Sequence, residues 1–555
     1  MSIFIKAGLW SSKKTGYLGE LNLSAELQKP SSSKLETVAT IAELQAYTAS
    51  IFAYFDGSTW EKKSGNVTSN GGSFAGTLIR VSSSVYWERN LINNSITLEM
   101  FGGVGNGSTD CTTALNNALD VCQVKKYNLS ILSGNYLITS LITKPINGFK
   151  IFGIKGSSAL TYSFAYSLLN LTGLTNGSIE GISFVSTNNN NVEDGGGGII
   201  YSYSTDVINF TIANCYFTNT NSNTSAISLY TNTATNGTKI ISNLIIENNI
   251  FENIGRIGCT IMNRSLDKTL CQNVKFNNNT GVNLGTRGSF GFLVSLDGYG
   301  QNGEVSGNYI KNALGIGIEN TGYDNFIFDK NTFTGTTLYN PFGFSHPQAG
   351  EYISNNVITN NIAIGLVNGS YFYEVNNSTF SGNVFSSTAT DIVFRNNNSN
   401  TYTNEHYSGV RYGFYIESKA PKTSRNNIIS NCFFTSSNNY SIMRCYDTNT
   451  TNNNFVNNII TFSGGVIFDE LNGASGNKCT RNIANGNQLD STENTFTSNT
   501  NLLTIKATQY NLTALNTAPA TATSTGTVGE IRWANGFVYL CVATNTWQRS
   551  ALTTW

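Results

Sequence analysis

The sequence predicts an all-β chain built as a parallel β-helix, a single-stranded solenoid whose rungs stack on one continuous core. Three observations predict it. Asn, Gly, Thr and Ser dominate the polar residues, with 53 Gly but only 6 Pro in 555 residues. Beside plentiful β-branched and aromatic residues, that mixture makes many short strands and tight turns. A small pattern, Asn, any residue, then a large apolar residue, recurs from about 170 to 480. One amphipathic helical stretch stands directly before the repeats, where a solenoid needs a lid.

Taken in chain order, residues 1–95 form a zone of their own composition. "SAELQKPSSSKLETVATIAELQAYTA" reads as a linker and then a short helix near Ile41–Tyr47. "FAYFDGSTWEKKSG" reads as a hairpin turning at Asp56-Gly57. The lid follows in "FGGVGNGSTDCTTALNNAL". Asp110 is a good N-cap beside Thr109. Leu115, Ala118, Leu119 and Cys122 then recur at i, i+3, i+4 and i+7, the apolar stripe of a helix near 110–122. Laid over the first rung, it closes an end that would otherwise pair with anything.

The rungs carry the pattern at Asn249-Ile-Phe251, Asn308-Tyr-Ile310, Asn331-Thr-Phe333, Asn356-Val-Ile358, Asn383-Val-Phe385, Asn431-Cys-Phe433 and Asn458-Ile-Ile460, with a degenerate copy at Asn279-Thr-Gly281. Successive asparagines differ by 30, 29, 23, 25, 27, 48 and 27. The 48 is about two periods of 24, so one rung lacks the signature. A period near 25 without a helical pattern fits stacked three-strand rungs. Asn suits them because it tolerates left-handed turns and bonds to the Asn above and below. Leucine-rich, TPR and ankyrin repeats are excluded by the missing Leu consensus and helices. The solenoid is expected over 96–505, and a small β module over 506–555. There "TAPATATSTGTVG" is a linker, and Glu530–Trp533 and Phe537–Val542 flank Asn535-Gly536, a type I′ hairpin signal. Trp533, Trp547 and Trp555 give the module an aromatic payload.

Composition excludes several functions. Charged residues are 12% and the net charge is +0, without the basic field of a nucleic-acid binder. The 9 cysteines are scattered, odd in number and free of CxxC pairs, so buried thiols are expected and not disulfides or zinc. No stretch approaches the roughly 20 apolar residues of a membrane helix. The start "MSIFIKAGLWSSKK" lacks a signal-peptide apolar region. The expectation is a chain made in a cytoplasm and binding neither membrane nor nucleic acid.

"ITLEMFGGVGNGSTDCTTALNNALDVC" followed by "YNLSILSGNYLIT" resembles the opening motif of the pectate-lyase-like superfamily of right-handed parallel β-helices. Phe101, Gly102, Gly105, Gly107, Asp110 and Thr113 carry the first part, and Gly134 and Tyr136 the second; Asn106 stands where the family usually has Asp. Within that superfamily the chain resembles bacteriophage tailspikes, the polysaccharide depolymerases of phage tails. "GEIRWANGFVYLCVATNTWQRSALTTW" is similar to their small terminal modules. The resemblance implies a homotrimer assembled in the bacterial cytoplasm and carried on the virion tail. Residues 1–95 would then attach to phage tail or baseplate proteins, or form a plain cap. The C-terminal module would clamp the trimer or contact carbohydrate. The implied partner is a bacterial surface polysaccharide, capsule or O-antigen.

With 2 histidines, His346 and His406, a Ser-His-Asp triad or His-based metal site is not expected, and no cofactor is called for. Paired carboxylates remain, and they suit glycosidic bond hydrolysis. Asp297 in "FGFLVSLDGYG" and Glu319 in "LGIGIENTGYD" lie 11 and 12 residues before Asn308 and Asn331, nearly the same place on consecutive rungs. Ser345 and His346 follow there, with Glu417 and Asp447 near the same column. Rungs about 4.8 Å apart bring like charges together and raise the pKa of one, as a general acid needs. Asp297 and Glu319 are the expected acid pair, with Glu304 and Asp324, placed on loops one rung apart, in reserve. Tyr299, Tyr323 and Tyr339 are expected to stack on sugar rings. A lyase would instead use His346 next to Glu319, with Arg287 or Arg411. A non-catalytic receptor-binding fibre shares the composition, and solvated carboxylates at strand ends are the plainest alternative. A surface adhesin or secreted pectinase fits the missing signal peptide less well.

Overall fold

Asparagine turns the chain at nearly every rung. In the computed structural model, which describes residues 37–48, 52–56, 58–65, 76–164, 167–187, 197–219, 225–232, 238–286, 291–335, 340–345, 351–366, 369–387, 392–408, 414–436, 443–462, 468–484, 487–491 and 517–553, Asn248, Asn278, Asn360, Asn404, Asn431 and Asn457 stand in the left-handed region at φ +55° to +57°. Each bends the chain between two short strands. The result is a parallel β-helix, a continuous sheet of 42 strands in which most strands pair with the strand one rung on. A rung has three faces. In one of them face I is Tyr323–Asp329, face II is Thr332–Thr334 and face III is Asn340–Phe344.

The residue after each left-handed corner points inward and builds a ladder. Asn249, Asn279, Asn308, Asn331, Asn361 and Asn383 each donate the backbone N–H and Nδ2 to a side-chain oxygen one rung on, at 2.8–3.2 Å. All six are at most 1% exposed, so their donors depend on this ladder instead of on water. The last acceptor is Glu405, which fills the rung predicted to lack the signature. Two of the predicted motif copies sit elsewhere. Asn356 starts face I, where its Oδ1 accepts the N–H of Phe326. Asn431 is a corner, and Cys432 takes the ladder place behind it. Phe433 therefore points outward at 36% exposure and Phe434 inward at 0%.

Inward residues stack into a core of Ile, Leu, Val and Phe that runs the length of the solenoid. Ring pairs Phe184–Phe217, Phe217–Phe251, Phe385–Tyr407 and Tyr407–Phe434 stack at 5.1–5.7 Å. The lid is the helix Thr112–Lys125, and Leu115, Ala118, Leu119 and Cys122 are all buried, as its stripe predicted. Cys111 occupies the N-cap position without a capping bond from its side chain to the helix, its thiol bonding instead to the backbone of Val104 and Thr109. Asp110, one residue earlier, accepts the Thr112 N–H at 2.9 Å and the Thr139 hydroxyl at 2.8 Å. A Cβ on Gly105 would lie 3.0 Å from the Gly134 Cα, and one on Gly134 2.9 Å from the Gly105 Cα. The motif glycines let two backbones touch. At the far end Asn487–Ser491 turns back antiparallel on Lys478–Ala484 and covers that edge.

Ahead of the solenoid, four antiparallel strands in the order Phe52–Phe55, Ser58–Ser64, Val85–Arg89, Leu78–Arg80 enclose Ala53, Trp60, Ile79 and Trp87 with Leu44 of the helix Ile41–Ala46. A second unit spans residues 503–555. Its strands Ile531–Ala534, Phe537–Ala543 and Thr546–Ala551 form an antiparallel sheet around Tyr539, Cys541 and Trp547. Asn535 and Gly536 turn its hairpin at φ +54° and +80°, the predicted type I′ geometry. Trp547 is core, Trp533 is 40% exposed, and Trp555 lies outside the described residues. All nine cysteines are free and buried.

Candidate active site

Face III presents two outward columns. In Val294–Gly298 the inward side chains are Val294 and Leu296, leaving Ser295 and Asp297 to point out; in Ile316–Asn320, Glu319 points out. The pairing sets Ser295 beside Glu319 and Leu296 beside Asn320. Asp297 and Glu319 are thus on consecutive rungs but in neighbouring columns, two residues out of register. The prediction that they share one column is corrected. The turn after Leu296 is one residue longer than the turn after Asn320, since Leu296 pairs with Asn320 but Gly300 with Tyr323. A rung step of about 4.8 Å and two residues of strand put their Cα atoms about 8 Å apart.

Glu319 is half-buried and accepts the Ser295 hydroxyl at 2.5 Å. Burial lifts its carboxyl to about 7; the Ser295 bond opposes the rise and the Asp297 charge adds to it. Asp297, at 28% side-chain exposure, accepts the Thr321 hydroxyl at 3.2 Å and faces the Arg264 guanidinium at 3.6 Å. Below Glu319 in its column come Gly343 and then Tyr371. Gly343 leaves a notch: a Cβ there would stand 2.6 Å from the Tyr371 hydroxyl. Burial, and after it the Glu319 charge, keeps the Tyr371 phenol protonated well above its ordinary range. Burial also raises the Tyr230 phenol, with the Arg256 charge opposing and the Asp297 charge adding. A carboxyl held protonated near neutrality, a second carboxylate one rung away and a phenolic donor two rungs to either side can protonate one atom and deprotonate another across a shared substrate.

Further along the face, Tyr373, Arg395 and Glu417 continue the column of Asp297, as predicted for Glu417. The Arg395 guanidinium lies 4.4 Å over the Tyr373 ring and pairs with Glu417, which also accepts the Tyr415 hydroxyl at 3.0 Å. Tyr371 and Tyr373 pack at 4.9 Å, and Tyr415 and Tyr446 at 6.2 Å. Half-buried phenol rings alternate along this face with charged groups.

Other predicted positions fall differently. Glu304 and Asp324 are on face I strands Gly300–Ser306 and Tyr323–Asp329, not on loops, and Asp324 is held by Lys268 and by the Ser354 N–H at 2.7 Å. The reserve pair is therefore off the face that carries Glu319. Tyr323 is 0% exposed, donates to the Ile261 carbonyl at 3.0 Å and lies against Gly300, where a Cβ would meet its ring at 2.3 Å; Tyr299 is 4% exposed. Both are corrected from sugar platforms to core residues. Asp447 is a left-handed turn residue one place beyond the outward Tyr446. Tyr339, Arg287, His346 and Arg411 lie outside the described residues. Tyr371, Ser295, Thr321 and Arg264 escaped the sequence reading; the alternation in "YFY" at 371–373 was the available signal for the first. Among the described residues no three His, Cys, Asp or Glu side chains gather as metal ligands would, and no helix is long and apolar enough to cross a membrane.

No protein-family profile matches the chain, and no curated protein matches it in sequence. Similar solved structures include the tailspike gp49 of Acinetobacter baumannii bacteriophage Fri1, a capsular polysaccharide depolymerase, at 13% identity over 79% of this chain and 75% of that one (TM-score 0.44). Tailspike protein 3 of bacteriophage CBA120 matches at 11% over 79% and 76% (TM-score 0.41). The A-module of mannuronan C-5 epimerase AlgE6 of Azotobacter vinelandii matches at 12% over 71% and 100% (TM-score 0.46).

Proposed function

We propose that this chain is a phage tailspike that binds a bacterial surface polysaccharide along face III and hydrolyses it there. The observation that carries the reading is Glu319, a carboxyl held at about 7 beside a second carboxylate on the same face. In the proposed step Glu319 gives its proton to the glycosidic oxygen as the bond from that oxygen to the anomeric carbon breaks. Asp297 takes a proton from the water whose oxygen bonds to that carbon from the opposite side. Tyr371, Tyr373, Tyr415 and Tyr446 offer rings along the same face for successive sugars. A phenol held protonated is a donor and a poor base, so Tyr371 serves in this reading as a hydrogen-bond donor to the sugar. The tail location and the tail-protein partners belong to this reading through the resemblance of the opening and closing segments.

The test is incubation of the full chain with purified capsule and O-antigen. The expected result is a fall in polymer size without new ultraviolet absorbance, the first reducing ends appearing with inverted anomeric configuration by proton NMR. Unsaturated fragments would mean a lyase, retained configuration would move Asp297 to a nucleophile, and binding without shortening would mean a receptor-binding fibre.

A further inference from the structure

Beyond Glu319, face III carries a guanidinium with an unused edge. Gly343, Tyr371 and Val393 follow Glu319 down its column, and Arg395 stands two residues past Val393, in the column of Asp297. Three rung steps of about 4.8 Å put it about 14 Å along the solenoid axis from Glu319. Phe394 between Val393 and Arg395 points inward, so Arg395 points out. Its Nε donates to Glu417 Oε1 on the next rung, and its guanidinium lies over the Tyr373 ring on the rung before. The other Glu417 oxygen accepts the Tyr415 hydroxyl. Among the described residues, Nη1 and Nη2 of Arg395 make no hydrogen bond, and 32% of the side chain is exposed.

A guanidinium holds its N–H donors in one fixed plane, and here a single one of them is used. A brace between two rungs needs no more than that one. Pinned at Nε and laid on a phenol ring, the group is held in one plane before anything binds, with the Nη1–Nη2 edge turned away from Glu417. That edge presents two parallel N–H groups, the geometry that pairs with two oxygens on one anionic atom. Lysine would supply the charge without the plane. A neutral sugar hydroxyl brings one oxygen and no charge, and leaves half of the edge unpaired.

We infer that Arg395 selects an acidic polysaccharide, its Nη1 and Nη2 taking two oxygens of an anionic substituent on the bound glycan. A carboxylate and a phosphodiester both offer such an oxygen pair, and the experiment below separates them. The inference rests on the reading of face III as the glycan surface, but not on cleavage. Arg395 lies too far from Glu319 to touch the reacting atoms, so it acts on which polymer is held and in what register, not on the bond that breaks. Glu417 and Tyr373 are its positioning residues, one fixing Nε and the other the plane of the group.

Retention of the full chain on immobilised capsules and O-antigens, some bearing uronates, some phosphodiesters and some neutral, tests the inference. The native chain is expected to be held by anionic polymers. Arg395→Gln is expected to weaken that binding about 10–100-fold with an unchanged circular dichroism spectrum, and Arg395→Lys by an intermediate factor. Where the polymer is also shortened, the loss should fall on KM and leave kcat unchanged. A second measurement needs no variant: reducing the polymer's carboxyls to alcohols with carbodiimide and borohydride is expected to cost the native chain the same factor. An Arg395→Gln loss that survives the reduction on a phosphodiester polymer assigns the phosphodiester instead. Glu417→Gln keeps an acceptor for Nε and removes the competing charge, so it is expected to bind the anionic polymer more tightly; a mere brace would make both variants lose binding alike. Equal losses in those two variants, equal losses of Arg395→Gln on neutral and acidic polymers, or retention only by neutral polymers overturns the inference. Arg395-dependent binding without shortening supports it and refutes the hydrolysis, whereas shortening of a neutral polymer by the native chain and Arg395→Gln alike does the reverse.

Discussion

Glu319→Gln is expected to lower the depolymerisation rate by about 10²–10⁴-fold, the usual loss when a positioned general acid is removed. Polymer binding should survive, because the amide keeps the shape of the carboxyl and the acceptor for the Ser295 hydroxyl. Asp297→Asn should cost a comparable factor. The same change also removes the charge that helps hold Glu319 protonated, so its remaining activity should fade at lower pH. Reducing-end release measured beside polymer retention separates loss of chemistry from loss of binding. Full activity in both variants would exclude the pair.

A second large effect is expected in stability, far from the site. Glu405 occupies the place of an asparagine in the buried ladder, 1% exposed, accepting from Asn383 at 2.8 Å and from the Tyr407 hydroxyl at 2.9 Å. Burial lifts its carboxyl from 4.5 to about 8, against the opposing hydrogen bonds of Asn383 and Tyr407. Between those values the folded chain holds a proton that the unfolded chain has shed. The stability is therefore fully present below about pH 4.5 and is lost as the pH rises through about 8. At about 1.4 kcal/mol per pKa unit the loss amounts to a few kcal/mol. Glu319 adds a loss of the same sign up to about pH 7. Denaturation midpoints of the native protein should fall between pH 5 and 8, and those of Glu405→Gln should fall much less. Equal slopes for the two proteins would show that Glu405 does not carry the effect.

The solenoid was legible because its signal is repetition. Leu115, Ala118, Leu119 and Cys122 specify the lid helix by spacing alone, and the ladder asparagines mark most rungs. The reading slipped at Asn356 and Asn431 because asparagine serves three places in a rung: corner, ladder and start of face I. A motif of one Asn and one apolar residue cannot separate them. Asp297 and Glu319 both point outward, as alternation predicts, for a related reason. Alternation fixes which side of a strand a residue faces, and an error of two residues leaves that side unchanged. Column and neighbour depend on turn length: the extra residue after Leu296 supplies one step of that error and the unequal spacings of 11 and 12 residues to Asn308 and Asn331 the other, so Ser295, not Asp297, stands beside Glu319. Tyr323 was misread because packing against Gly300 is a contact between rungs, which nothing local to Tyr323 announces.

The pH dependence of depolymerisation at low substrate concentration tests the central claim most directly. If Glu319 is the general acid, kcat/KM falls tenfold per pH unit above an apparent pKa near 7, and that limb moves upward in Ser295→Ala, where the bond that lowers the Glu319 pKa is gone. A rate that stays level through pH 9, or that climbs through pH 7, would contradict a protonated Glu319 and with it the proposed hydrolysis.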